Sequence, residues 1–166
     1  MYYINQDGLN AIRSGKINLL QIYFFALPVV GLVNFLRYWV HSNDPTASVF
    51  FLSVGLPLMT SLFIFFLYLA WRLMKRLNNT IEEIGFENNT VIITTFSILW
   101  MKSRECTIPF SDVLVRKAMF EWFEKKKDKK GSIIRSKNEK NELYLVEDYF
   151  DDHQAIEARL QGAGIF

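Results

Sequence analysis

The chain has 166 residues, 51% of them hydrophobic, fifteen of them Phe, and a formal net charge of only +2. That length allows one ordinary domain, or two membrane helices and a small domain. Cys106 is the only cysteine, which excludes an internal disulfide, and the two histidines, His41 and His153, are too few beside it for a zinc cluster.

The apolar residues are partitioned along the chain. Residues 1–16 form a short N-terminal segment. From Ile17 to Met74 the sequence is almost free of charge, and from Lys75 onward it is rich in charge and turns. Two apolar runs, 17–40 and 49–74, each meet the roughly 20 residues a helix needs to cross a bilayer. The stretch SLFIFFLYLAW has no polar face, unlike an amphipathic soluble helix. Residues 17–79 are therefore expected to form a transmembrane helical hairpin. The loop HSNDPTAS, 41–48, carries no Lys or Arg, whereas Arg13 and Lys16 precede the first run and Arg72, Lys75 and Arg76 close the second. By the positive-inside rule both termini are expected in the cytoplasm. Gly31 and Gly55 are expected at helix-packing positions, with Asn34 as an interhelical hydrogen-bond donor.

After Asn79 the hydrophobic period changes to that of strands. IEEIGFE and TVIITTF flank Asn88-Asn89, a pair suited to a tight hairpin. SILWM, ECTIPF, VLVRKAMFEWF, GSIIRS and ELYLVE supply five more candidate strands, about seven in all. Asp151 as N-cap and Gln154 three residues later announce a closing helix. Residues 80–166 are expected to be an α+β cytoplasmic domain: a curved sheet or barrel of about seven strands, closed by a C-terminal helix.

The helix pair, the string GFENNTVIITT, the segment ECTIPFSDVLVRK and the ending YFDDHQAIEARL resemble bacterial membrane proteins with two transmembrane helices and a pleckstrin-homology-like (PH-like) domain, including YcxB-like proteins. The resemblance implies a PH-like fold and no catalytic residue.

No nucleophile elbow, phosphate loop or metal motif is present, so no enzyme activity, cofactor or metal is expected. Asp151-Asp152-His153 reads as helix capping rather than an acid/base cluster. Cys106 reads as a packed thiol. The NNT sequons at Asn78 and Asn88 read as a helix end and a turn. The run KKKDKKGSIIRSKNEK, 125–140, has seven Lys and one Arg against Asp128 and Glu139, a local charge of +6 that leaves −4 for the rest of the chain. Its Lys125, Lys126 and Lys127, with Lys129 and Lys130, then Arg135 and Lys137, follow the aromatics Trp122 and Phe123. Two readings fit: a patch for anionic lipid or an acidic partner, and a solvated hairpin tip turning at Gly131. Membrane tethering disfavours nucleic acid. The functional expectation is a non-enzymatic, multi-pass protein of the bacterial inner membrane, whose domain binds a protein or anionic lipid. The alternative is an accessory subunit or immunity protein that grips another membrane protein, or a second copy, through the helix pair.

Overall fold

The computed structural model describes residues 1–43, 49, 53, 55–120, 129–139 and 141–162. The chain divides into two compact units, Ile17–Met74, and Met1–Lys16 together with Lys75–Phe166. The N-terminal residues thus belong with the C-terminal domain.

The apolar unit carries most of two helices, α1 (Gln6–Asn43) and α2 (Leu56–Asn79). Both are long and apolar enough to cross a membrane. Their polar side chains turn inward on their own helices: Asn34 Nδ2, Thr60 Oγ1 and Ser61 Oγ donate to the carbonyls of Val30, Leu56 and Pro57 at 3.0, 2.8 and 2.8 Å. Such back-bonds satisfy each polar side chain within its own helix. α1 exceeds the expected span at both ends. It starts eleven residues early, and His41–Asn43 continue it where a loop is expected; the rest of that loop, 44–48, lies outside the described residues.

The other unit contains two antiparallel sheets. Strands β1 (Tyr2–Tyr3), β2 (Ile81–Glu87), β3 (Thr90–Thr95) and β4 (Glu105–Pro109) form the first, in sequence order. Strands β5 (Val113–Phe120), β6 (Lys129–Ser136) and β7 (Leu143–Val146) form the second. Helix α3 (His153–Gly162) follows. Among the described residues no continuous ladder closes the sheets into a barrel. One parallel bridge, Thr80 to Tyr144, links them.

Seven strands are present among the described residues, but not the seven the sequence suggests. SILWM is a tight turn: Ile98 and Met101 exchange both backbone bonds, at 2.9 and 2.8 Å, and Leu99 has φ 50°. The seventh strand is β1, whose Tyr2 and Tyr3 pair with Ile84 and Glu83. The hairpin at Asn88-Asn89 forms as expected, with φ of 43° and 65° at the two Asn. Asn reaches this left-handed region at little cost.

Alternation fills the core. Val91, Ile93 and Thr95 of β3 are buried while Ile92 and Thr94 are only half-buried. Ile84, Val113, Ile134, Leu145 and Ile156 are fully buried. Each such side chain stabilises the fold by about 1.5–3 kcal/mol relative to exposure. α3 touches both sheets. Its Arg159 lies over the rings of Tyr2 and Phe86 at 5.8 and 5.5 Å, and its Glu157 pairs with Lys117 of β5 at 3.2 Å. Asp152, not Asp151, flanks its start, since Ile156 N–H donates to Asp152 O. Asp151 is occupied elsewhere: its Oδ1 accepts a bond from Asn5.

Candidate functional site

The second sheet has one face toward the core and one outward. On the core face stand Val113, Ile134 and Leu145. On the outer face Arg116 pairs with Ile133, Ala118 with Gly131, and Ile133 with Tyr144 of β7. The rings of Phe120 and Tyr144 approach at 5.5 Å with 58° between their planes. Gly131 makes this possible. A Cβ there would lie 2.7 Å from a Phe120 ring carbon and would strike the Leu145 carbonyl oxygen. The turn expected at Gly131 is therefore corrected: the residue sits inside β6, where only a hydrogen fits.

Above this face opens a cleft of 320 Å³, lined by Arg116, Phe120, Ile133, Glu142 and Tyr144 and by Arg76 from the end of α2. Burial raises the pKa of the Tyr144 hydroxyl; Glu142 raises it further, while a bond from Asn79 and the charge of Arg76 lower it. Tyr144 is thus a neutral donor at physiological pH. Two guanidiniums on an apolar floor, with Glu142 hydrogen-bonded to the Tyr144 hydroxyl, leave a net positive lining that suits a small anionic group. Arg76, Arg116 and Tyr144 come from three elements, so no linear motif marks them.

The basic run is not one uniform patch. Lys125, Lys126, Lys127, Trp122 and Phe123 lie outside the described residues. Lys129 pairs with Asp148 at 2.9 Å and lies 5.9 Å from the Tyr149 ring centroid. Strand alternation sends its neighbour Lys130 to the opposite face, where it is exposed across from Met119. Arg135 is exposed. Lys137 Nζ donates to the Ser111 carbonyl.

Other candidates resolve locally. Asn78 is 1% exposed, so the first sequon has no room for a glycan; its amide donates to the carbonyls of Phe96 and Lys102 at 2.6 and 3.0 Å. Burial, then Glu139, raises the Cys106 thiol above its ordinary value against the pull of Arg104, which keeps it protonated and a poor nucleophile. Glu147, His153 and Glu157 bring one ligand atom each within 4.8 Å of one another, a grouping hidden in the sequence because Glu147 precedes α3. Glu157 already answers Lys117. In the apolar unit, Asn34 bonds within its own helix, a Cβ on Gly31 would meet nothing within 4 Å, and Gly55 is half-buried just before α2.

Comparison with protein-family models, with curated proteins and with solved structures returned no match.

Proposed function

We propose that this chain is a non-enzymatic protein of a bacterial inner membrane whose PH-like cytoplasmic domain binds an anionic lipid headgroup at the bilayer surface. The PH-like description is supported by element order: a four-stranded sheet, a three-stranded sheet, then one helix. A cytoplasmic placement of both ends is supported by the Lys and Arg distribution and by the pairing of β1 with β2. The binding reading rests on one observation, the cleft in which Arg76 and Arg116 flank Tyr144. Arg76 is two residues beyond Met74, about 3 Å along the helix axis, so the cleft draws on a cation next to the apolar span.

Native mass spectrometry of the full chain, released in mild detergent with phosphatidylglycerol or phosphatidylcholine, tests this. The parent should retain the anionic lipid, the retention should weaken with salt as the Debye length shrinks, and Arg116→Ala should lose it. Equal retention by Arg116→Ala would refute the cleft. Topology is tested in a Cys106→Ala background: a cysteine replacing Asn43 should label from outside, and one replacing Ser136 should not.

A second reading is favoured by Gly31, which has open space where a foreign helix can approach. It makes the chain an accessory or immunity protein that grips a membrane partner. A stoichiometric partner that co-purifies with the parent and is lost on Gly31→Leu substitution would select it.

A further inference from the structure

The turn that joins β3 to β4 carries the most conspicuous unexplained feature of the domain. Its base is rigid: Phe96 and Ile98 are buried, and Ile98 and Met101 exchange two backbone bonds. Its tip is Leu99-Trp100, exposed to 47% and 65%. Lys102 and Ser103 beyond it are exposed, and Arg104 is half-buried. Leu99 takes φ 50°, a left-handed conformation that branched side chains avoid. The same domain fills the left-handed positions of its neighbouring hairpin with Asn88 and Asn89, residues that adopt it readily. At Leu99 the chain instead keeps a strained backbone and an apolar side chain in the open. Strain that survives in this way marks a functional constraint.

The position of the turn says what the tip meets. Asn78, on the last turn of α2, clamps both arms of the loop through its amide, at Phe96 O and Lys102 O. Asn78 lies four residues past Met74, about 6 Å along the helix. Leu99 and Trp100 lie two or three residues beyond the clamp, within about 10 Å at extended-chain spacing. The headgroup layer on each side of a bilayer is about 5–8 Å thick. The tip is therefore tethered within reach of that layer by the helix that would cross it. Its chemistry fits the same place: Trp favours the boundary between headgroups and acyl chains, Leu partitions below it, and Lys102 and Arg104 are cations for lipid phosphates.

We propose that the Leu99-Trp100 turn inserts into the headgroup–acyl boundary of the bilayer that α2 crosses. It would act as a second anchor, fixing which side of the domain faces the membrane. This rests on α1 and α2 being membrane-embedded, and it is independent of the cleft.

The test uses the full chain in nanodiscs made with lipids brominated either near the headgroup end or deep in the acyl chain. One variant keeps only Trp100 (Trp39→Phe, Trp71→Phe, Trp122→Phe), and a second keeps only Trp71, within α2. Trp100 emission is expected to be blue-shifted and quenched more strongly by the shallow bromines, with or without Arg116→Ala. Quenching of Trp71 without quenching of Trp100 would overturn the proposal and leave the membrane reading intact. Failure of both to quench would overturn the two together. A blue-shifted Trp100 that no bromine quenches would place it against protein, which also overturns the proposal.

Discussion

The side-chain amide of Asn5 donates a hydrogen bond to Asp151 Oδ1 at 2.9 Å, joining residues 146 positions apart. Asn5 makes further bonds at both ends of the domain. Its Nδ2 also donates to Asp148 O at 3.0 Å, its backbone N–H donates to Tyr149 O at 2.8 Å, and its Oδ1 accepts from Gly8 N–H at 2.9 Å. The last of these is the N-cap of α1. One side chain thus starts the first helix and holds the segment that precedes the last.

Asn5→Ala should destabilise the domain by about 2–3 kcal/mol, from a lost cap (about 0.5–2 kcal/mol) and two lost donor bonds. Asn5→Ser, which keeps a capping oxygen but not the reach, should fall between Ala and the parent. Denaturant unfolding of the detergent-solubilised chain, followed by near-ultraviolet circular dichroism, measures the order. Equal midpoints for Ala and the parent would show that the clasp contributes nothing.

The N-terminal residues should matter as much as any strand of the domain. A fragment of residues 80–166 lacks β1 and Asn5, and leaves the edge of β2 open. A polypeptide that joins residues 1–16 through a short flexible linker to residues 75–166 restores both. The joined form should melt cooperatively at a higher temperature than the 80–166 fragment. Identical melting curves would mean that β1 is dispensable.

Gly131→Ala should cost about 1–3 kcal/mol, the usual range for forcing a methyl group into a packed site. The obstacle is partly the Leu145 backbone, so shortening the ring by Phe120→Leu should not rescue it. Rescue would show that the ring alone sets the limit.

Glu82 is held above the ordinary glutamate pKa, first by burial, with Glu83 adding to the shift and Lys16 opposing it. A carboxyl raised in this way favours folding while it is protonated. That contribution is complete below its unfolded pKa, about 4.3, and is lost as pH rises through the folded value. Glu82→Gln should therefore melt above the parent near neutral pH (about pH 7), and the gap should close toward about pH 4. A parent that melts at or above the variant near neutrality would mean that attraction to Lys16 prevails.

Much of the domain was legible because alternation and turn chemistry are local. Asn88-Asn89 announced its hairpin, and the runs around Ile92, Val115, Ile134 and Leu145 announced their strands. MYYIN did not read as a strand, because two paired residues are too short for a periodic signal and their partner lies some 80 positions away. SILWM has a strand's composition, and only the backbone angle at Leu99 turns it into a tip. Gly131 looked like a turn among lysines, because nothing local reveals that Phe120 and Leu145 crowd it. The cleft was hidden for a related reason: its cations are ordinary surface residues until the sheet and α2 bring Arg116 and Arg76 together. The Lys run, in contrast, was conspicuous in sequence, yet among its described residues Lys129 and Lys137 are spent on Asp148 and on Ser111.

The clasp at Asn5 also sets an order of events during synthesis. Tyr2 and Tyr3 leave the ribosome before both long helices, but their partners Ile84 and Glu83 are made some 80 residues later. Asp148, Tyr149 and Asp151, which Asn5 holds, are made later still. At about 5–20 residues per second, the N-terminal strand waits on the order of ten seconds with its backbone unpaired while both apolar helices are delivered. The domain therefore closes around a strand made before the helices. A machinery that inserted the helices in a membrane would have to leave Tyr2 and Tyr3 free on the side where the rest of the domain emerges.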